Sequence, residues 1–253
     1  MIAAPETTAW YVYGVVDASA KIGADQLRLI GEGPLAAVVS EVPLSEFGEE
    51  ELAQRLNDRA WLEEHARAHE DVLQRLAAVA AVVPFRFGAI YRELDDVSVL
   101  LRERRGELSA ALERVRGRIE LGVKAWADRD RFEAALGDAL PEPSSGRAYL
   151  ERRRTEHERA GRVGAQLGDI ARDAHARLLR HAVEGVANRP HPRELTGRDE
   201  AMILNGAYLV ADGDEALAGE AAALDAEHGA RGIAFEVTGP WPPHNFVEPR
   251  DEV

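Results

Sequence analysis

Residues 61–91, WLEEHARAHEDVLQRLAAVAAVVPFRFGAIY, decide the fold class, because a helical period gives way to a strand period within a few residues. Leu62, His65, His69, Val72, Leu76 and Val79 recur at alternating steps of three and four, which predicts a helix with one buried face. After Ala80 and Ala81 the period becomes two, with Val83, Phe85, Phe87 and Ala89 alternating against Val82, Pro84, Arg86 and Gly88. That pattern predicts a strand. Pro84 has no N–H for a ladder, so the strand is expected at a sheet edge or bulged, with Arg86 on the face opposite both phenylalanines.

Working outward, Trp10–Val16 and Leu35–Val42 read as strands, Glu49 opens the helical region that the Trp61 helix continues, and Glu107–Val115 reads as a further helix. Asp95 or Asp96 is expected to cap the helix before it. Ile119–Ala127 alternates as a fourth strand. The order β, β, α, β, α, β predicts an α+β fold of two domains, the first a ferredoxin-like sheet over residues 1–128 with helices on one face. Residues 129–146 are expected to form a short helix and a linker, PEPSSG, which offers no apolar face to bury. Residues 147–253 are expected to form a smaller α+β domain with a long helix and a closing strand.

The long helix carries an apolar stripe through Ala160, Val163, Leu167, Ile170, Ala174, Leu178 and Ala182, while Glu151–Arg159 has no apolar position and should be solvated. Gly161, Gly164 and Gly168 share one side of it. Each weakens a helix by about 1 kcal/mol relative to Ala, so close backbone packing or a kink is expected there. A strand is expected near Val186–Leu195 and another at Asn205–Asp212, then a helix through Leu217, Ala221 and Leu224 that Asp214 can cap. The strand from Gly232 closes the domain, and Glu248–Val253 reads as a loose tail.

Composition narrows the function classes. The chain has 253 residues, 45% hydrophobic and 30% charged, and no apolar run reaches the roughly 20 residues that span a bilayer. No basic region precedes an apolar stretch at the N-terminus, so a cytoplasmic protein without a membrane partner is expected. The absence of cysteine removes disulfides, iron–sulfur clusters and thiol nucleophiles. A formal net charge of -14 opposes nucleic acid as a partner, since phosphates require clustered Lys and Arg.

His65 and His69 have the i, i+4 spacing with which a helix presents two imidazoles to a metal. The glutamate that a zinc-protease helix places directly after the first histidine is here Ala66, and both rings lie on the apolar stripe. Hydrogen-bonded histidines at the edge of a core are expected, with no bound metal. No glycine-rich phosphate loop or nucleophile triad is present in the pattern, so neither a cofactor nor enzymatic activity is expected. Two aromatic segments remain as a candidate interface: Phe85, Arg86 and Phe87, and Trp241 with Phe246 inside a proline-fixed run. A rigid Gly-Pro-Trp-Pro-Pro segment suits either packing between domains or capture of a partner.

Five stretches occur together in order: WYVYGVV at 10–16, PLAAVVSEVPLSEF at 34–47, VVPFRFGAIY at 82–91, NGAYLVAD at 205–212 and TGPWPPHNFV at 238–247. In this combination the chain resembles the gas vesicle protein F/L family (GvpF/GvpL) over nearly its whole length. His244 departs from the pattern by standing where an aromatic is expected. The resemblance implies a minor component or accessory factor of gas vesicles, located in the cytoplasm and at the vesicle. It implies the small hydrophobic gas vesicle shell protein as partner, joined by other vesicle accessory proteins, and a role in nucleation that limits shell-protein aggregation. Two rival classes are a ligand-binding regulatory module of paired ferredoxin-like domains, which needs a polar pocket between them, and a metal-dependent enzyme using His65 and His69.

Overall fold

The computed structural model describes residues 8–23, 26–137 and 146–247. The chain divides into two compact units, Met1–Ile119 with Trp241–Val253 and Glu120–Pro240. The expected boundary near 128 differs from this division, and so does the expected membership of the C-terminal segment. Residues 141–145 of the PEPSSG linker and the tail Glu248–Val253 lie outside the described residues, while Gly146 already opens a helix.

In the first unit the elements are β1 (Thr8–Asp17), β2 (Arg28–Glu32), β3 (Leu35–Pro43), α1 (Leu44–Phe47), α2 (Glu49–Arg55), α3 (Arg59–Ala77), β4 (Val82–Pro84), β5 (Ile90–Tyr91), α4 (Leu94–Glu103) and α5 (Arg105–Val115). The strand order is β2-β3-β1-β4, with β5 also paired to β1, and these pairings are antiparallel. On α3, Val72, Leu73 and Leu76 pack against Val16, Ala36, Val38 and Val82. Alternation sends Val15, Ala37 and Val39 to the opposite face, where they are equally buried. That face is covered by α4 against β2 and β3 and by α5 against β1 and β4, so helices lie on both faces where the sequence reading places them on one.

Asp58 caps α3, accepting hydrogen bonds from the Ala60 and Trp61 amides at 3.1 and 3.3 Å. Such a cap contributes about 1 kcal/mol. In β1 the register against β3 shifts between Val12 and Gly14, so Tyr13 is an extra residue. The bulge keeps Tyr11, Tyr13 and Val16 on the α3 side. Gly14 is required there, because a Cβ would stand 2.6 Å from the Val83 carbonyl oxygen. The strand expected to continue to Ala89 ends at Pro84: residues 85–89 form a loop opposite the bulge, turned by Gly88 at φ +84°.

The second unit contains β6 (Arg118–Ala127), α6 (Arg129–Ala135), α7 (Gly146–Leu179), β7 (Glu184–Asn188), α8 (Arg193–Thr196), β8 (Ala201–Ala211), α9 (Ala216–His228) and β9 (Ile233–Trp241). Its sheet order is β7-β8-β6-β9. With the short α6 and α8 set aside, this is the β-α-β-β-α-β, ferredoxin-like arrangement, so the strand at 119–127 belongs to the second sheet rather than the first. Along α7, Val163, Leu167, Ala174 and Leu178 of the expected stripe are buried, joined by Ala171, whereas Ala160 is exposed, Ile170 is half-buried and Ala182 lies beyond the helix end; Arg153 and Arg154 are exposed. Gly161 and Gly164 face open space, where a Cβ would meet nothing within 4 Å, so close packing does not explain them. No helix among the described residues is long and apolar enough to cross a membrane.

Candidate functional site

The loop at 85–89 is held by a relay that starts on the neighbouring strand. The Gly88 N–H donates to Tyr11 Oη at 3.1 Å, and Tyr11 Oη lies 2.8 Å from His69 Nδ1. On the other side of the ring His69 Nε2 lies 3.2 Å from the Phe85 carbonyl oxygen. The loop also joins β1 directly, through Phe85 N–H to the Tyr13 carbonyl and Val12 N–H to the Ala89 carbonyl. Strand β1 and helix α3 therefore hold the loop that carries Phe85, Arg86 and Phe87.

His65, one turn earlier, has a different task. Its Nδ1 donates to the Trp61 carbonyl at 2.9 Å, and its ring stacks on the Trp61 indole at 4.1 Å and 18°. Trp61 Nε1–H donates to Glu46 at 2.7 Å. The spacing suggestive of a shared metal thus carries two imidazoles to separate partners, and no group of three metal-ligating side chains occurs among the described residues. Tyr11, Phe47 and Trp61 form a buried cluster with Phe87 packed on it. Phe87 meets Tyr11, Trp61 and His69 edge-on at 5.9–6.2 Å.

Beside this cluster opens a cleft of about 410 Å3, lined by Ala66, His69 and Glu70 of α3, residues 84–87, His244 and Val247. The Phe85–Phe87 loop therefore shares this cleft with His244 and Val247 of the C-terminal run, while Trp241 and Phe246 are not among the residues that line it. His244, the departure from the aromatic pattern, donates to Glu70 at 3.1 Å across the cleft mouth. A second cavity of about 290 Å3 shares Pro84, Phe85, Arg86 and Val247 and continues to Tyr91 and Arg104. Arg104 lies 6.0 Å over the Phe85 ring. The site offers apolar walls with charged groups at the rim, which suits holding a side chain of a partner.

The candidate residues differ in exposure. Arg86 is exposed, Phe85 and Phe87 are half-buried, and Trp241 is 38% exposed at the end of β9. Phe246 is fully buried and belongs to the core, packed in the turn at 244–246 that meets α5. Asp95 and Asp96 do not cap α4: Glu93 holds the cap position, and the two aspartates lie in the first turn, where the helix dipole favours them. Sequence reasoning missed Tyr11 and Glu46 and weighed Glu70 only as a possible metal ligand, because the roles of all three depend on partners 15 or more residues away. Only His244 gave a signal, as a polar residue in an aromatic run.

The chain matches, over residues 9–248, the family model described as gas vesicle synthesis protein GvpL/GvpF. It is similar to gas vesicle protein L of Streptomyces sp. (strain CB03234), with 36% identity over 230 residues covering 89% of this chain and 85% of that protein. Gas vesicle protein F of the same strain is 29% identical over 256 residues, covering 94% and 99%. The fold matches the crystal structure of the gas vesicle protein GvpF from Anabaena sp. PCC7120, with a TM-score of 0.69 at 19% identity, over 96% of this chain and 97% of that one.

Proposed function

The chain belongs to the GvpL/GvpF family of gas vesicle proteins, and from that premise we propose that it is a non-enzymatic accessory protein that binds the hydrophobic shell protein. It works in the cytoplasm and at the vesicle, limits aggregation of the shell protein while a vesicle nucleates, and cooperates with other vesicle accessory proteins. The observation that carries the binding site is the convergence of the Phe85–Phe87 loop and the C-terminal segment on one apolar cleft with a charged rim. A formal net charge of -14 keeps complexes of this acidic chain apart by mutual repulsion, which opposes collapse of the apolar partner.

Phe85, Arg86, Phe87 and Trp241 are the contact residues of this reading, and Phe246 supports them from the core. Co-expression with the shell protein followed by affinity capture tests it. The wild-type chain should retain the shell protein, and Trp241→Ala should weaken binding by about 2 kcal/mol with an unchanged melting temperature. A wild-type chain that is folded and captures no shell protein would defeat the proposal.

A further inference from the structure

His69 stands between the cleft and the loop that forms one wall of it. It lines the cleft beside Glu70 and is 6% exposed. The Phe85 carbonyl oxygen, 3.2 Å from Nε2, can only accept, so Nε2 carries the proton of the neutral ring and Nδ1 is left as an acceptor. Tyr11 Oη donates to Nδ1 at 2.8 Å and accepts the Gly88 N–H at 3.1 Å. Each donor in this relay has its acceptor. A second proton on the ring turns Nδ1 into a donor facing an oxygen that already takes one N–H. The Tyr11 hydroxyl proton then has no acceptor in the relay, and either the Tyr11–His69 or the Gly88–Tyr11 bond gives way. Both bonds lead to the loop at 85–89.

The groups around the ring set how readily it takes that proton. On β1, Tyr11 and Tyr13 face it, Tyr13 stacked at 5.6 Å and 23°. On α3, Glu70 favours the proton, while His65 is bonded to the Trp61 carbonyl one turn away. His244 of the C-terminal turn opposes it, and Arg86 of the loop lines the same cleft. Burial outweighs the Phe85 carbonyl and Glu70 and holds the His69 pKa below its ordinary 6.5, so the ring is neutral at neutral pH and charges on acidification.

We infer that the Tyr11–His69 pair is a proton-operated latch on the cleft: with His69 neutral the Phe85–Phe87 loop is held ready for its partner, and with His69 protonated the loop is freed and the partner is released. The inference rests on the cleft being the shell-protein site, and it adds the regulation of that site. Linkage makes the effect reciprocal, so a bound partner keeps His69 neutral to a lower pH than in the free chain.

Nuclear magnetic resonance of the full chain with isotope-labelled histidine reads the latch before any partner is added. His69 should show the Nε2–H tautomer at neutral pH. As it takes up its second proton, the Gly88 amide should lose protection about tenfold relative to the intrinsic exchange rate at each pH, roughly the effect of one hydrogen bond. Capture of co-expressed shell protein should weaken about tenfold with the same midpoint. His69→Gln, which cannot be charged, should abolish this acid loss, whereas His244→Phe should keep it. A Gly88 amide equally protected on both sides of the His69 midpoint, a ring with the Nδ1–H tautomer at neutral pH, or an acid loss that survives in His69→Gln overturns the latch and leaves the proposed function standing. A latch that operates in the free chain, beside a wild-type chain that captures no shell protein at neutral pH, overturns the proposed function and the release with it.

Discussion

The hydrogen bonds around His69 determine its charge. Tyr11 Oη already accepts the Gly88 N–H, so its one proton goes to His69 Nδ1, and the ring's own proton sits on Nε2 facing the Phe85 carbonyl. A neutral ring satisfies every partner, whereas a protonated ring would orphan the Tyr11 hydroxyl proton. Burial lowers the His69 pKa below its ordinary 6.5, with the Phe85 carbonyl and Glu70 opposing and His244 assisting. The unfolded chain therefore takes up the proton first on acidification. The stability that this adds is complete above about pH 6.5 and is lost as pH falls through the lower folded value. The thermal midpoint should drop more steeply between pH 7 and 5 in wild type than in His69→Gln, and equal slopes would contradict the assignment. Tyr11→Phe leaves both Nδ1 and the Gly88 amide unpaired in a buried place and should destabilise by about 1–3 kcal/mol, measured by denaturant unfolding.

Elements were more legible in the sequence than their neighbours were. Most of the α3 and α7 stripes is buried because helical period is a local property of side-chain spacing, and the stripes fail at their ends, where Val79 and Ala160 are exposed. The loop at 85–89 was not legible, since its cause is the Tyr13 bulge on another strand and its pins are Tyr11 and His69. The sheet to which residues 119–127 belong was equally hidden, because an alternating strand fits any sheet until its partners are known. The α7 glycines mark a different limit: their spacing suggested packing, yet Gly161 and Gly164 face open space. Gly164→Ala introduces no clash, so it should raise the stability of the second unit by about 1 kcal/mol in an unfolding titration. A loss of stability instead would show that the backbone at this position needs glycine.

At the scale of the whole chain, the N-terminal half of the sequence and a short segment near its other end build one core. Residues 241–247 return to the unit formed by residues 8–119, where Phe246 is fully buried and Val247 nearly so, and His244 bonds to Glu70 on α3. The sequence reading assigned this segment to a C-terminal domain because a strand leads directly into it, and chain continuity was the only guide available. Phe246→Ala removes a large buried side chain and should destabilise by about 3–5 kcal/mol. Hydrogen exchange of this variant should rise in β1, α3 and α5, far away in sequence, while β8 and α9 keep their wild-type protection. Faster exchange confined to β8 and α9 would place the segment in the second core instead. Because His244 and Val247 also line the cleft, the same variant should lose shell-protein capture even though Phe246 itself is out of a partner's reach.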